Sequence, residues 1–494
     1  VRKKLGTWWP LAAIVLLAAA LRFATLDLQS FWYDEAFTPV HVLHASLAAT
    51  LRGVSHTENT PPLWYLLIWV WSRLFGSGAV ALRSLSALAG VLTVPIAWAI
   101  GRELIGERVA LTTALFVAVN PLFVWYSQEA RAYALFVFTT ALAVLCFLHA
   151  LHKPTPARLA AFALSGALAL LSHYFAVFLL IPVCLWLLFA HRTQVHLRVV
   201  AAAVACDAIV GLALVPLIVA QGGHGTQWIG RWPLAERLEA IPQYYLTGES
   251  GAPLGHGIEL LIALPILAGV LYGLWRGLTR FEEHRALIML VLAACGVLIP
   301  LLLVGFGLDY LAPRNLVAAM LPLSALLAIV IVAQRTGRVG LLLAGLVALG
   351  FLAISLDVDL SPRLQRGDWR GLARALAVAV AQPSRVAQPL RVAQPLRAIT
   401  TPELGSAPLE YYLPPLHYLP AGVTVRVREI DETGYAPLRP GAEEPPAPGF
   451  QLVQRRDING IVLYRFLSSA PRAISEATLR EAAITQEHPE VLTP

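Results

Sequence analysis

Long apolar runs, each closed by a short polar or basic tract, give the chain its pattern. The first extends from Trp8 to Leu26, and others follow near 80–101, 107–125, 131–151, 157–172, 174–190, 199–220, 257–276, 285–306, 313–333 and 338–356. Most approach the roughly 20 residues that a helix needs to cross a bilayer, so the pattern predicts about eleven transmembrane helices. The stretch from Pro62 to Phe75 falls short of that length. It is expected to be an interfacial helix over 61–76, inside a first outer loop spanning 27–79.

Basic tracts decide the direction of each crossing. They occur at Arg2 to Lys4, Arg102 to Arg108, Lys153 to Arg158, Arg192 to Arg198, Arg276 to Arg285 and Arg335 to Arg338. With all of them in the cytoplasm, the N-terminus is cytoplasmic and an odd number of crossings leaves the C-terminus outside. The first run is long for the core of a signal peptide and is not followed by a small-residue cleavage site, so an uncleaved first span is expected. The sequence predicts a polytopic α-helical membrane domain over 1–356 and an extracytoplasmic domain of mixed α/β character over 357–494. Within the latter, Gln382-Pro383-Ser384-Arg385-Val386-Ala387 begins a six-residue repeat. It lies in a Pro-rich stretch over 381–397 that reads as a linker or loop expansion.

Composition agrees with a membrane solvent. Hydrophobic residues make up 57% of the 494, charged residues only 14%, and mean hydropathy is +0.67. A net charge of +7 would point to nucleic acid in a soluble chain. Here the cations sit between apolar runs as a positive-inside bias, so nucleic acid is discounted as a partner. Cys146, Cys184, Cys206 and Cys295 all fall within apolar runs and read as small buried thiols.

This topology collects polar residues on the outer face. Asp34 and Glu35 follow the first span, Arg83 opens the next, and Glu129, Arg131 and Tyr133 lie in Ser127-Gln128-Glu129-Ala130-Arg131-Ala132-Tyr133. His173 separates two spans, and Arg314 follows Pro313 at the start of another. Each also has a plain reading. Asp34 and Glu35 suit a solvated loop, Arg83 and Arg314 suit anchoring to headgroups, Glu129 and Arg131 suit each other, and His173 suits a structural role. The fourth outer loop, from Gln221 to Gly257, contains His224, Trp228, Trp232, Tyr244 and Tyr245; its aromatics suit either sugar stacking or an interfacial belt.

Taken in order, several motifs carry a joint resemblance. They are Asp34-Glu35 after the first span, Thr60-Pro61-Pro62-Leu63-Trp64-Tyr65, Ala81-Leu82-Arg83-Ser84-Leu85-Ser86-Ala87, Gly101-Arg102-Glu103-Leu104, and the stretch from Ser127 to Tyr133. Together they resemble GT-C glycosyltransferases of family 39, the group of protein mannosyltransferases and the lipid A aminoarabinose transferase, and more closely its bacterial members. The resemblance is strong over 27–190. It is weaker at Pro313-Arg314-Asn315-Leu316, where Asn315 replaces a tyrosine, and at Asp368-Trp369-Arg370; Thr60 stands where a histidine often precedes the prolines.

The resemblance implies an inverting enzyme of the bacterial plasma membrane. It would take a sugar from a polyprenyl-phosphate-sugar donor and pass it to an acceptor hydroxyl on a lipid, glycan or protein at the outer face. Asp34 takes the base role with Glu35 in support, while Arg83, Arg131 and Arg314 meet the donor phosphate. Tyr65, Glu129, Tyr133 and His173 are expected to bind substrate. No cofactor is expected: a divalent metal is possible in this fold class, but two adjacent carboxylates without a third make a weak site. The alternatives are a GT-C enzyme transferring an oligosaccharide or polymer unit, a polytopic transporter with ionisable residues at mid-span like Asp207, and a silent membrane scaffold.

Overall fold

A computed structural model describes residues 8–192, 197–222, 226–249, 256–380, 397–413, 415–485 and 488–494. The Pro-rich repeat, the first basic tract and His224 lie outside the described residues, apart from Arg397 at the end of the repeat. The chain divides into two compact units. One comprises Val1–Leu26 with His44–Leu364; the other comprises Asp27–Leu43 with Gln365–Pro494.

The first unit is helical. Among the described residues, seven of its helices are long and apolar enough to cross a membrane: Ala79–Leu104, Tyr133–His152, Leu197–Ala220, Gly257–Arg276, Arg280–Val304, Pro313–Ile331 and Gln334–Leu360. Glu107–Val119 and Pro121–Ser127, bent by 57° at their junction, make an eighth when the pair is counted as one span. The remaining expected spans correspond to the shorter apolar helices Trp9–Phe23, Pro156–Ser172 and Tyr174–Ala190, and the expected interfacial helix to Leu63–Phe75. Leucines such as Leu212, Leu264 and Leu342 face outward, as lipid-facing side chains do.

The bend in the eighth helix has a definite cause. Pro121 has no N–H to give the Val117 carbonyl, and the Leu122 N–H is taken by Asn120 Oδ1 at 3.0 Å, away from the Ala118 carbonyl. The freed carbonyls find other donors. Buried Arg22, on the first helix, reaches Val117 O at 3.0 Å and Ala118 O at 2.8 Å, and Ser355 Oγ reaches Val119 O at 2.8 Å. Other helices of this unit contain proline without such a break, among them Ala79–Leu104 with Pro95 and Arg280–Val304 with Pro300.

The second unit is built on a six-stranded mixed sheet. Its strands are β1 (Arg397–Thr401), β2 (His417–Tyr418), β3 (Thr424–Tyr435), β4 (Phe450–Ile458), β5 (Ile461–Ser475) and β6 (Glu490–Thr493), in the order β2-β6-β1-β3-β5-β4. Only the β1–β3 pairing is parallel. Asn459 and Gly460, both at positive φ, make the tight β4–β5 hairpin. Along β5, Val462, Tyr464 and Phe466 join one core and Ile461 and Leu463 the other, because side chains alternate across a sheet that is covered on both faces. Helix Trp369–Val380 carries Trp369 into the second of these cores. The expected mixed α/β tail is therefore present.

Residues 27–43 join this unit rather than the membrane helices that flank them in sequence. Ser30 Oγ donates to Gly367 O and accepts from the Trp369 N–H, each at 3.0 Å, while Phe31 N donates to the Tyr412 hydroxyl at 2.7 Å. Arg366 lies over the Trp32 ring and Arg370 reaches Asp27 at 3.1 Å.

Candidate active site

In the membrane unit, the candidate side chains gather where helices begin, end or break. The bend at Asn120-Pro121 directs Pro121–Ser127 into a tight turn over 128–132. There the Arg131 N–H bonds to Glu129 O at 2.8 Å, and Ser86 Oγ reaches Arg131 O at 3.3 Å. Gln128 Nε2 fastens the turn to the first helix through Leu21 O at 2.7 Å and Thr25 Oγ1 at 2.8 Å. Glu129 is buried within this turn.

The Arg131 side chain meets Glu58 across both carboxylate oxygens, Nη2 to Oε2 at 3.1 Å and Nη1 to Oε1 at 3.4 Å. Tyr65, on the helix after the double proline, donates its hydroxyl to Glu58 Oε2 at 2.5 Å and lies 3.1 Å from Thr60 Oγ1. Glu58 is 3% exposed. Glu58 lies within the first outer loop of the sequence and has no assigned role there, since only the fold brings it to Arg131. Gln221 joins the same loop to a distant helix end. Its Nε2 donates to Val54 O and Thr60 O, both at 3.0 Å, and its Oε1 accepts from the Tyr174 hydroxyl at 2.7 Å.

His173 lies beside this group. Its ring stacks on Phe136 at 4.5 Å and lies 5.9 Å from Tyr133, and its Nδ1 accepts the Phe175 N–H at 3.3 Å. Burial, with the positive charges of Arg314 and Arg131, pushes its pKa down to about 3, so the imidazole is neutral at physiological pH. Tyr133 packs on Tyr126, whose hydroxyl donates to Glu249 Oε2 at 2.7 Å.

Arg314 opens the 3-10 turn Pro313–Ala319 and lies over the Trp228 ring, 4.6 Å from its centroid. The segment before it is clamped by Arg237, which bonds Asp309 with both terminal nitrogens and Leu311 O at 3.0 Å. Asn315 donates to Tyr310 O at 3.0 Å. Arg83 is 1% exposed and donates to Leu26 O at 2.9 Å. The fold thus brings Tyr65, Arg131, Tyr133, His173 and Arg314 into one neighbourhood, with Glu58, Tyr126, Glu249 and Trp228 as members that sequence reasoning did not assign.

Asp34 and Glu35 belong to the other unit. They lie in the short helix Tyr33–Phe37, which follows extended Trp32 and packs against helix Ser406–Tyr412. Asp34 is half-buried and Glu35 fully buried. In the same unit His41 approaches Glu410 at 3.8 Å. Among the described residues no three His, Cys, Asp or Glu side chains converge to hold a metal ion.

Residues 59–219 match the family described as dolichyl-phosphate-mannose-protein mannosyltransferase. No curated protein matches the chain. Among solved structures it is similar to ArnT from Cupriavidus metallidurans bound to undecaprenyl phosphate. That likeness has a TM-score of 0.54 at 14% identity and covers 93% of this chain and 98% of ArnT; the apo state of the same protein gives the same figures. An oligosaccharyltransferase from Archaeoglobus fulgidus is matched at 17% identity and a TM-score of 0.48, over 76% of this chain and 56% of the archaeal one. The chain thus shares the fold of ArnT over nearly its whole length, and within it residues 59–219 match the mannosyltransferase family in sequence.

Proposed function

We propose that this protein transfers a sugar, with inversion, from a polyprenyl-phosphate-linked donor to a hydroxyl on a lipid, glycan or protein acceptor. The reaction takes place at the outer face of a bacterial plasma membrane, with the N-terminus in the cytoplasm and the sheet domain outside. The observation that carries this reading is geometric: the turn that Arg314 opens, with Arg314 over the Trp228 ring, packs against the helix that follows Arg131 and the turn that follows buried His173, so both arginines stand at helix ends around one histidine. Cations at the ends of apolar helices suit a lipid-borne phosphate that gains charge as its glycosidic bond breaks. The undecaprenyl phosphate named with ArnT is a ligand of that chemistry.

In this mechanism the acceptor oxygen attacks the anomeric carbon, and the bond from that carbon to the phosphate oxygen breaks with its electron pair leaving on the phosphate. Asp34 takes the acceptor proton and Glu35 supports it, roles assigned by the family resemblance. Arg83, Arg131 and Arg314 hold the phosphate, while Tyr65, Glu129, Tyr133 and His173 shape the sugar and acceptor subsites. No cofactor is assigned and no step passes through a metal.

The test compares glycolipids, cell-wall polysaccharide and glycoproteins from cells with the wild-type chain, with Asp34→Asn, or with none. Loss of one glycosylated product by a hundredfold or more in D34N, at unchanged protein level, is the expected outcome. Unchanged product sinks the base assignment.

A further inference from the structure

A site built only to hold a phosphate would not place a buried acid against one of its arginines. Glu58 is such an acid. It is 3% exposed, faces Arg131 at 3.1 and 3.4 Å, and is fixed by the Tyr65 hydroxyl at 2.5 Å, itself beside Thr60 Oγ1. Neutralising part of Arg131 weakens phosphate binding, so the pair needs a reason other than affinity. Resting on the proposed function, we propose that Glu58 is a release residue: it offsets the charge of Arg131 so that the lipid phosphate product leaves.

The chemistry supplies the reason. The donor is a phosphodiester with a single negative charge. Transfer breaks the bond between anomeric carbon and phosphate oxygen, and the electron pair left on that oxygen makes a monoester of about −1.5 to −2 at neutral pH. A cluster of unopposed arginines would bind this product more tightly than the donor and stall after one turnover. A fixed carboxylate repels the more highly charged product more than the donor. Glu58 therefore acts through Arg131, as a positioning and charge-balancing residue rather than one that touches the reacting atoms. The Tyr65 bond keeps the carboxylate aimed, and Gln221 anchors the Thr60 carbonyl that borders it.

The experiment measures binding of undecaprenyl phosphate to the full chain in nanodiscs, with phosphatidylglycerol discs as the reference for a generic anionic headgroup. Glu58→Gln removes the charge while keeping the shape and one acceptor oxygen for the Tyr65 hydroxyl and Arg131 Nη2, giving up the longer Arg131 Nη1 contact; it is expected to bind undecaprenyl phosphate roughly fivefold tighter or more. Unchanged or weaker binding by E58Q overturns the inference. A second comparison avoids reliance on that variant alone. Arg131→Gln leaves Glu58 uncompensated and is expected to lose binding, whereas the double variant E58Q/R131Q, with a neutral pair, recovers at least threefold of that loss. A purely structural Glu58 gives no such recovery, and its absence overturns the inference. Failure of the wild-type chain to bind undecaprenyl phosphate above the phosphatidylglycerol reference overturns the proposed function instead.

Discussion

Arg237 grips Asp309 with two parallel contacts, Nη1 to Oδ1 at 2.6 Å and Nη2 to Oδ2 at 2.8 Å, and so fixes the approach to Arg314. Arg237 is 2% exposed, and its hydrogen bonds hold the Asp309 carboxyl below the ordinary range. Replacing Arg237 by Met is expected to cost about 1.5–3 kcal/mol. The stabilisation linked to Asp309 is present above the ordinary carboxylate pKa and is lost as pH falls through the lowered one. Thermal unfolding of the detergent-purified chain at pH 7 and pH 3 checks both points: the gap between wild type and R237M should narrow in acid.

The broken helix predicts an effect opposite to hydropathy. Arg22→Leu makes the first helix more apolar yet strands the Val117 and Ala118 carbonyls. The variant is expected to be less stable by roughly 2 kcal/mol or more. An unchanged melting temperature would show that other donors reach those carbonyls.

Two glycines should respond in opposite ways. A Cβ on Gly101 would come within 2.7 Å of Ala110 Cα and 2.9 Å of Val109 O, both backbone atoms. Gly101→Ala is therefore expected to cost about 1–3 kcal/mol by forcing two helices apart. On Gly345, within helix Gly337–Leu360, a Cβ meets nothing within 4 Å. Gly345→Ala is expected to be neutral or stabilising by up to about 1 kcal/mol. Yield and melting temperature of the two purified variants decide it.

Glu432, on β3, is 1% exposed, and neither carboxylate oxygen has a hydrogen-bond partner among the described residues. Burial raises its pKa to about 8, against a smaller opposing effect of Arg439. Since the folded value lies above the unfolded one, this group's stabilisation is complete below about pH 4.5 and is lost as pH rises through 8. Hydrogen exchange of β3 amides, corrected for the intrinsic dependence on pH, should report weaker protection at pH 9 than at pH 6. Glu432→Gln should abolish the difference.

The sheet domain has a second buried carboxylate with the opposite solution. Asp431 meets Arg465 Nε at 2.8 Å and Arg397 Nε at 2.5 Å, and those arginines also bond Ala375 O and Leu376 O of helix Trp369–Val380. Arg397→Met leaves a buried acid partly uncompensated and is expected to destabilise this unit by about 3 kcal/mol. Faster proteolysis of the sheet domain, with the membrane helices still intact, is the expected readout.

Apolar runs and basic tracts made the membrane helices legible, because the bilayer imposes length and composition directly on sequence. The mixed tail could be read for the same reason in reverse: its sequence is polar and Pro-rich and holds no further apolar run of membrane length. In sequence Pro121 is one of several prolines within apolar segments. What sets it apart is that Asn120 captures the next amide while Arg22 and Ser355 wait for the freed carbonyls, and those partners are distant in sequence. Distance also hid Glu58, an ordinary loop acid until Arg131 and Tyr65 are seen around it. Thr60 and Asn315, both departures from the family pattern, proved to be locally engaged with Tyr65 and Tyr310.

The segment carrying Asp34 and Glu35 is made before the membrane helices that follow it, but the residues it packs against, from Gln365 onward, are made after them. Nearly the whole membrane unit is made while that segment waits without its partners. Its final structure is thus a late event, and a chain stopped before the tail would contain both carboxylates in its sequence without the scaffold that shapes them.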